Sequence, residues 1–145
     1  TEMNTLLKRG EKAFNAGDTL VALVQFEAVS RQKQIPWVES ALGYCLARER
    51  QEYNKGLNLC FLAIQEEPFN PAHYYQAGRI YLLARRKELA IKFFRRGLKL
   101  RGHKPIIDEL RNLGIRKPPV FSSLPRQHAL NRVFGLAFDR IGLRG

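Results

Sequence analysis

The chain has 145 residues, the length of one domain, and 45% of them are apolar, enough to bury a core. Its net charge of +12 is uneven: residues 1–70 carry 8 Lys/Arg against 9 Asp/Glu, whereas residues 71–145 carry 17 against 4, so a cationic half follows a neutral one. No apolar run reaches 18 residues, the opening TEMNTLLKRGEKAF carries charge in every short window, and the two cysteines are isolated, which argues against a membrane-spanning helix, a secretory leader and a disulfide scaffold. Cys45 and Cys60 are therefore expected as reduced core residues of a cytoplasmic protein.

In chain order, three segments align at one spacing: they begin at Met3, Trp37 and Pro71, each 34 residues after the last. Small residues recur at the eighth position (Gly10 and Gly78, with Tyr44 between them), the eleventh (Ala13 and Ala47, then Tyr81) and the twentieth (Ala22, Gly56, Ala90). The twenty-fourth holds Phe26, Cys60 and Phe94, and the twenty-seventh Val29, Ala63 and Gly97. Each unit reads as two helices with apolar residues three and four apart. Small residues at positions eight and twenty would let the two axes approach. The large residue at twenty-four would fill the space between successive pairs, which must stack to hide their apolar faces. Ala16-Gly17-Asp18 supplies a stop and a cap, Ile35-Pro36 a boundary, and Asn70-Pro71 a cap followed by a first helical turn.

These residues resemble the tetratricopeptide repeat (TPR) family over about residues 3–102, in repeats about 3–34, 37–70 and 71–102. The third unit, with Gly78, Tyr81, Ala90 and Phe94 at the family's signature places, is nearest the pattern. The second departs at Tyr44 and Gly56, and the first ends in Gln34 where Pro is frequent. The resemblance implies an all-α right-handed superhelix of three helix pairs. A fourth register starts at Pro105, and PIIDELRNLGI reads as a capping helix over 105–113, packed through Ile106, Ile107, Leu110 and Leu113 and stopped by Gly114. Residues 1–114 would form the repeat domain, and 115–145 a proline-containing strap and a terminal helix. In the strap, Pro118, Pro119 and Pro125 forbid a helix. The stripe Leu130, Val133, Phe134, Ala137, Phe138 and Ile141 reads as an amphipathic helix that docks on its own repeats or on a dimer mate, with a membrane surface the less favoured alternative.

The resemblance further implies that the first helix of each pair lines a concave groove. The residues so placed include Leu7, Lys8, Glu11 and Phe14 in the first repeat, Val38, Leu42 and Cys45 in the second, and Tyr75, Gln76 and Arg79 in the third. A mixed groove with a clear apolar component suits an extended peptide or an amphipathic helix. The positions that clamp the acidic chaperone C-terminus in some family members hold Leu7, Glu11, Leu42, Ala72 and Gln76, and none matches. A second expectation concerns charge. Lys92, Arg95, Arg96 and Lys99 would lie on the convex side, and Arg85, Arg86 and Lys87 in the turn beside them, forming a basic patch. That patch suits nucleic acid or another anionic surface, although no exposed aromatic residues are expected within it to support single-stranded binding.

His73, His103 and His128 show no metal-ligand spacing, and no phosphate loop, nucleotide fingerprint or nucleophile elbow is present. The expectation is a non-enzymatic protein without cofactor or metal: an adaptor or assembly subunit that binds a protein or peptide ligand. Homodimerisation through the terminal stripe and nucleic-acid binding through the basic patch stand as alternatives. A role as chaperone of secreted bacterial translocators is disfavoured by the positive charge.

Overall fold

The computed structural model describes residues 1–115. Among them are seven helices and no strand: α1 (Glu2–Asn15), α2 (Thr19–Gln32), α3 (Pro36–Arg50), α4 (Tyr53–Glu66), α5 (Pro71–Leu83), α6 (Lys87–Leu100) and α7 (Lys104–Asn112). Successive helices form antiparallel couples, α1 with α2, α3 with α4 and α5 with α6, and α7 packs on α6. The even-numbered helices of the couples are each 14 residues long and start at Thr19, Tyr53 and Lys87, 34 residues apart. The packing is that of a helical repeat. None of the described helices is long and apolar enough to cross a membrane. The expected strap and the stripe from Leu130 to Ile141 lie outside the described residues.

The turn inside each couple repeats with the helices. Gly17, Gln51 and Arg85, again 34 apart, all adopt a left-handed backbone, with φ of 83°, 55° and 62°. The next residue's N–H then closes the helix end, from Asp18 to the Ala13 carbonyl at 2.8 Å and from Arg86 to the Tyr81 carbonyl at 2.8 Å. In the middle couple the bond runs from Glu52 to Leu46 at 3.3 Å, one residue further back. Asp18 caps α2 through its carboxylate, which accepts from the Val21 N–H at 3.2 Å, and Asn70 caps α5 by accepting from Ala72 N–H at 3.0 Å. Pro36, Pro71 and Pro105 sit in the first turns of α3, α5 and α7, where a missing N–H costs nothing.

The couples close on glycine notches. A Cβ on Gly10 would stand 2.5 Å from a carbon of the Phe26 ring, and Gly78 faces the Phe94 ring in the same way. The residue at position twenty-four therefore fills a notch within its own couple, beyond the expected space between couples, although Phe26 also meets Trp37 of the next couple edge-on at 5.7 Å. The middle couple exchanges these volumes. Tyr44 takes the glycine's place and Cys60 the phenylalanine's, and the close approach moves to Gly43 and Gly56, where backbone meets backbone. Gly97 receives Ile106 of α7, which is fully buried with Leu110.

Two apolar clusters result. One joins α2 to α3 through Ala22, Leu23, Phe26, Val29, Val38, Leu42 and Cys45. The other runs from α3 to α7 through Phe61, Tyr74, Ile80, Tyr81, Phe93, Phe94, Leu98 and Ile106. The helix α3 touches α2, α4 and α5, so it is covered on several sides, in keeping with apolar residues distributed all round its circumference.

Candidate functional site

The residues expected to line a groove separate into two sets. Lys8 and Glu11 are exposed, and Leu7, Phe14, Tyr75 and Arg79 are partly exposed. Val38, Leu42, Cys45 and Gln76 are buried. This corrects the expectation for those four: Val38, Leu42 and Cys45 belong to the interior, because α2 and α5 close over the α3 faces that carry them, and Gln76 on α5 is buried with its side-chain oxygen engaged by Arg79.

What remains accessible is organised around Arg79. This residue sits on α5 facing the first helices of the two preceding couples. Its guanidinium lies 3.5 Å from the Tyr44 ring centroid, 5.0 Å from that of Tyr75 and 5.9 Å from that of Phe14. It also donates to the Gln76 side-chain oxygen at 3.1 Å. Phe14 meets Tyr44 edge-on at 6.0 Å, and Tyr75 stands 5.5 Å from the His103 ring. The four odd-numbered helices thus contribute to one aromatic row: α1 through Phe14, α3 through Tyr44, α5 through Tyr75 and α7 through its cap residue His103. Among the described residues no carboxylate pairs with Arg79. A guanidinium held on ring faces keeps its outward N–H donors for an oxygen-bearing partner, and the rings supply apolar contact area beside it. Burial raises the Tyr75 phenol above its ordinary pKa, a shift that Arg79 opposes, so the ring stays neutral at physiological pH. Tyr44 was legible in the sequence only as a departure from the repeat pattern, and its position over Arg79 depends on packing between couples.

The basic patch is likewise divided. Arg85, Arg86, Lys87 and Arg95 are exposed and Lys92 and Lys99 partly so, but Arg96 is only 6% exposed. The expectation that Arg96 lies on the outer surface is corrected: its guanidinium packs over the Phe93 ring at 5.3 Å. It lies one helical turn before Lys99, yet two residues beyond Phe94, and the contact with Phe93 draws it inward. Three of the exposed cations, Arg85, Arg86 and Lys87, gather at the start of α6 and Arg95 stands at mid-helix, with Glu88 the one acid between positions 85 and 104.

One polar constellation has no precedent in the spacing of the sequence. His73 is fully buried, and its Nδ1 lies 2.9 Å from Ser40 Oγ while its Nε2 lies 2.7 Å from Glu67 Oε1. A neutral imidazole with its proton on Nε2 donates to Glu67 and accepts from the Ser40 hydroxyl. Burial lowers the His73 pKa below 6.5 despite Glu67. The hydrogen bond from His73 in turn lowers that of Glu67. Serine, imidazole and carboxylate in series resemble a nucleophilic relay, but Ser40 is 2% exposed and His73 0%, so solvent-borne substrate does not reach the hydroxyl. The relay ties α3, the turn after α4, and α5 together across two couples.

Both cysteines are free and buried. Burial pushes the Cys45 thiol up to about 12, and the fully enclosed Cys60 is raised as well. No group of three or more potential metal ligands exists among the described residues.

Compared with protein-family models, with curated proteins and with solved structures, the chain shows no match.

Proposed function

We propose that this chain is a non-enzymatic protein-binding module of the TPR type, its three helix couples and capping helix winding in the right-handed sense of that family. It serves as an adaptor or assembly subunit in the cytoplasm. The ligand is an extended peptide or a helix laid along the first helices of the couples, over Leu7, Phe14, Tyr75 and Arg79. The observation that carries this reading is the Arg79 guanidinium, held on the Tyr44 ring without a carboxylate partner among the described residues. Aromatic residues and arginine dominate the energetics of protein interfaces, where a rigid anchor loses little entropy on binding. An apolar row with one cation suits a ligand with alternating apolar and acidic or carbonyl groups.

Selection from a random peptide library on the full chain tests the proposal. Selected peptides should lose at least tenfold in affinity when Tyr75→Asp or Arg79→Glu is introduced, and should keep most of it at high salt. Substitution of Leu42 is unsuited to the purpose, because it is a core residue.

The cluster of exposed Arg85, Arg86, Lys87 and Arg95 favours a second reading, binding of nucleic acid or another anionic surface. That reading predicts the opposite pattern: affinity indifferent to Tyr75→Asp, falling steeply with salt, and lost on Arg86→Glu with Arg95→Glu.

A further inference from the structure

The chain entering α3 and the last turns of α4 enclose a cavity of about 180 Å³, in the half of the chain that carries no net positive charge. Its apolar wall comes from Pro36, Leu59 and Leu62. Its charged groups are Glu39 and Glu66, and no lysine or arginine lines it. Leu62, Gln65 and Glu66 are exposed, so the mouth opens to solvent.

Glu39 is the unusual member. It stands in the first turn of α3 and is only 6% exposed. Its Oε1 accepts from the Ser30 hydroxyl at 3.0 Å, and its Oε2 is buried with no hydrogen-bond partner. A buried carboxyl oxygen without a partner costs free energy that an apolar residue of similar size would not. Burial accordingly raises the Glu39 pKa, with the Ser30 bond opposing. Retaining such a group at the wall of a cavity is chemically reasonable when a cation completes it.

We propose that this cavity takes the side chain of a lysine from a partner protein, its alkyl stem against Leu59, Leu62 and Pro36 and its ammonium meeting Glu39 as that carboxyl group, covered in the unbound chain, turns toward the cavity, with Glu66 at the mouth. An unbranched apolar stem ending in a compact charge matches an apolar wall that ends in a carboxyl group. Arginine fits less well. Its planar fork seeks two oxygens of one carboxylate, and Ser30 already occupies one oxygen of Glu39. Ammonium binding holds Glu39 ionised, and any proton the carboxyl carried leaves to solvent. The site shares no residue with the Arg79 row, so it does not depend on the groove reading.

The test is a titration of the full chain, 15N-labelled, with Nα-acetyl-lysine N-methylamide, following the backbone amides of Gln34, Leu62 and Ala63. Parallel titrations use the norleucine compound, which keeps the stem and lacks the ammonium, and the arginine compound. The expected result is saturable shifts at those amides for the lysine compound, with affinity about tenfold above norleucine and above arginine. Glu39→Gln, which keeps the shape and can still accept from Ser30, should remove that preference. Equal affinity for lysine and norleucine, no saturable shift up to about 50 mM ligand, or an unchanged preference in Glu39→Gln would each overturn the proposal. The lysine-to-norleucine ratio is read on the unaltered chain, so it decides the matter however well the variant folds.

Discussion

Gly43 and Gly56 face each other across α3 and α4 so closely that a Cβ on Gly43 would stand 2.5 Å from the Gly56 carbonyl oxygen. Nothing flexible lies between them, since the obstacle is main chain. At Gly10 and Gly78 the obstacle is instead the ring of Phe26 or Phe94, a side chain that can shift within its cluster. Gly43→Ala should therefore cost more than Gly10→Ala. Overpacking of a close contact is worth about 1–3 kcal/mol, and Gly43→Ala is placed at its upper end. Urea denaturation of the two variants against the parent checks the order, and equal midpoints would remove the distinction between backbone and ring.

The left-handed residues give a prediction of opposite sign. Gln51 and Arg85 occupy the position that Gly17 fills without strain, and each carries a Cβ in that conformation. Gln51→Gly and Arg85→Gly should each stabilise the fold by about 0.5–1 kcal/mol, whereas Gly17→Ala should destabilise it by about 1 kcal/mol. Thermal unfolding midpoints report both directions. Arg85→Gly also removes one cation from the exposed patch, so it separates the stability effect from any loss of anion binding.

Acid should weaken the fold in two steps through the Ser40–His73–Glu67 tie. The folded state lowers the pKa of His73 beneath 6.5, so the unfolded chain binds the proton more readily there. The resulting stability is present above pH 6.5 and is lost as pH falls through the folded value. Glu67 is also lowered, from 4.5, and its contribution disappears further down as pH falls below that value. Glu67→Gln removes the partner that raises His73. The first loss should then steepen, and the Glu67 part of the second should vanish. Urea midpoints measured from pH 7.5 to pH 3.5 test this; a flat profile between pH 7 and pH 5 would contradict it.

The thiols should be inert in the native protein. The chain holds two cysteines, both buried and with raised pKa values, so little thiolate is available. A disulfide reagent such as Ellman's should release no chromophore from the folded chain at pH 8 and two equivalents after denaturation. Release of one equivalent from the folded state would point to opening around Cys45, which lies between α2 and α3.

Much of the architecture was legible in the sequence because its causes are local. Caps, prolines and left-handed stops act over a few residues, and so Asp18, Asn70-Pro71 and Gly17 announced helix ends where the structure has them. The 34-residue spacing of Met3, Trp37 and Pro71, with glycine at the eighth position of the first and third units, carried the division into helix couples, whereas the seating of Phe26 on Gly10 and of Phe94 on Gly78 emerged only from the packing. Tertiary structure alone decided the rest. Whether Val38, Leu42 and Cys45 would meet a ligand or the core depended on how α2 and α5 cover α3, and Arg96 turned inward because Phe93 offered its ring. The contacts of Arg79 with Tyr44, of His73 with Ser40, and of Glu39 with its cavity join residues from different segments. Their energies depend on desolvation and on neighbours brought together by folding, and a linear spacing carries neither.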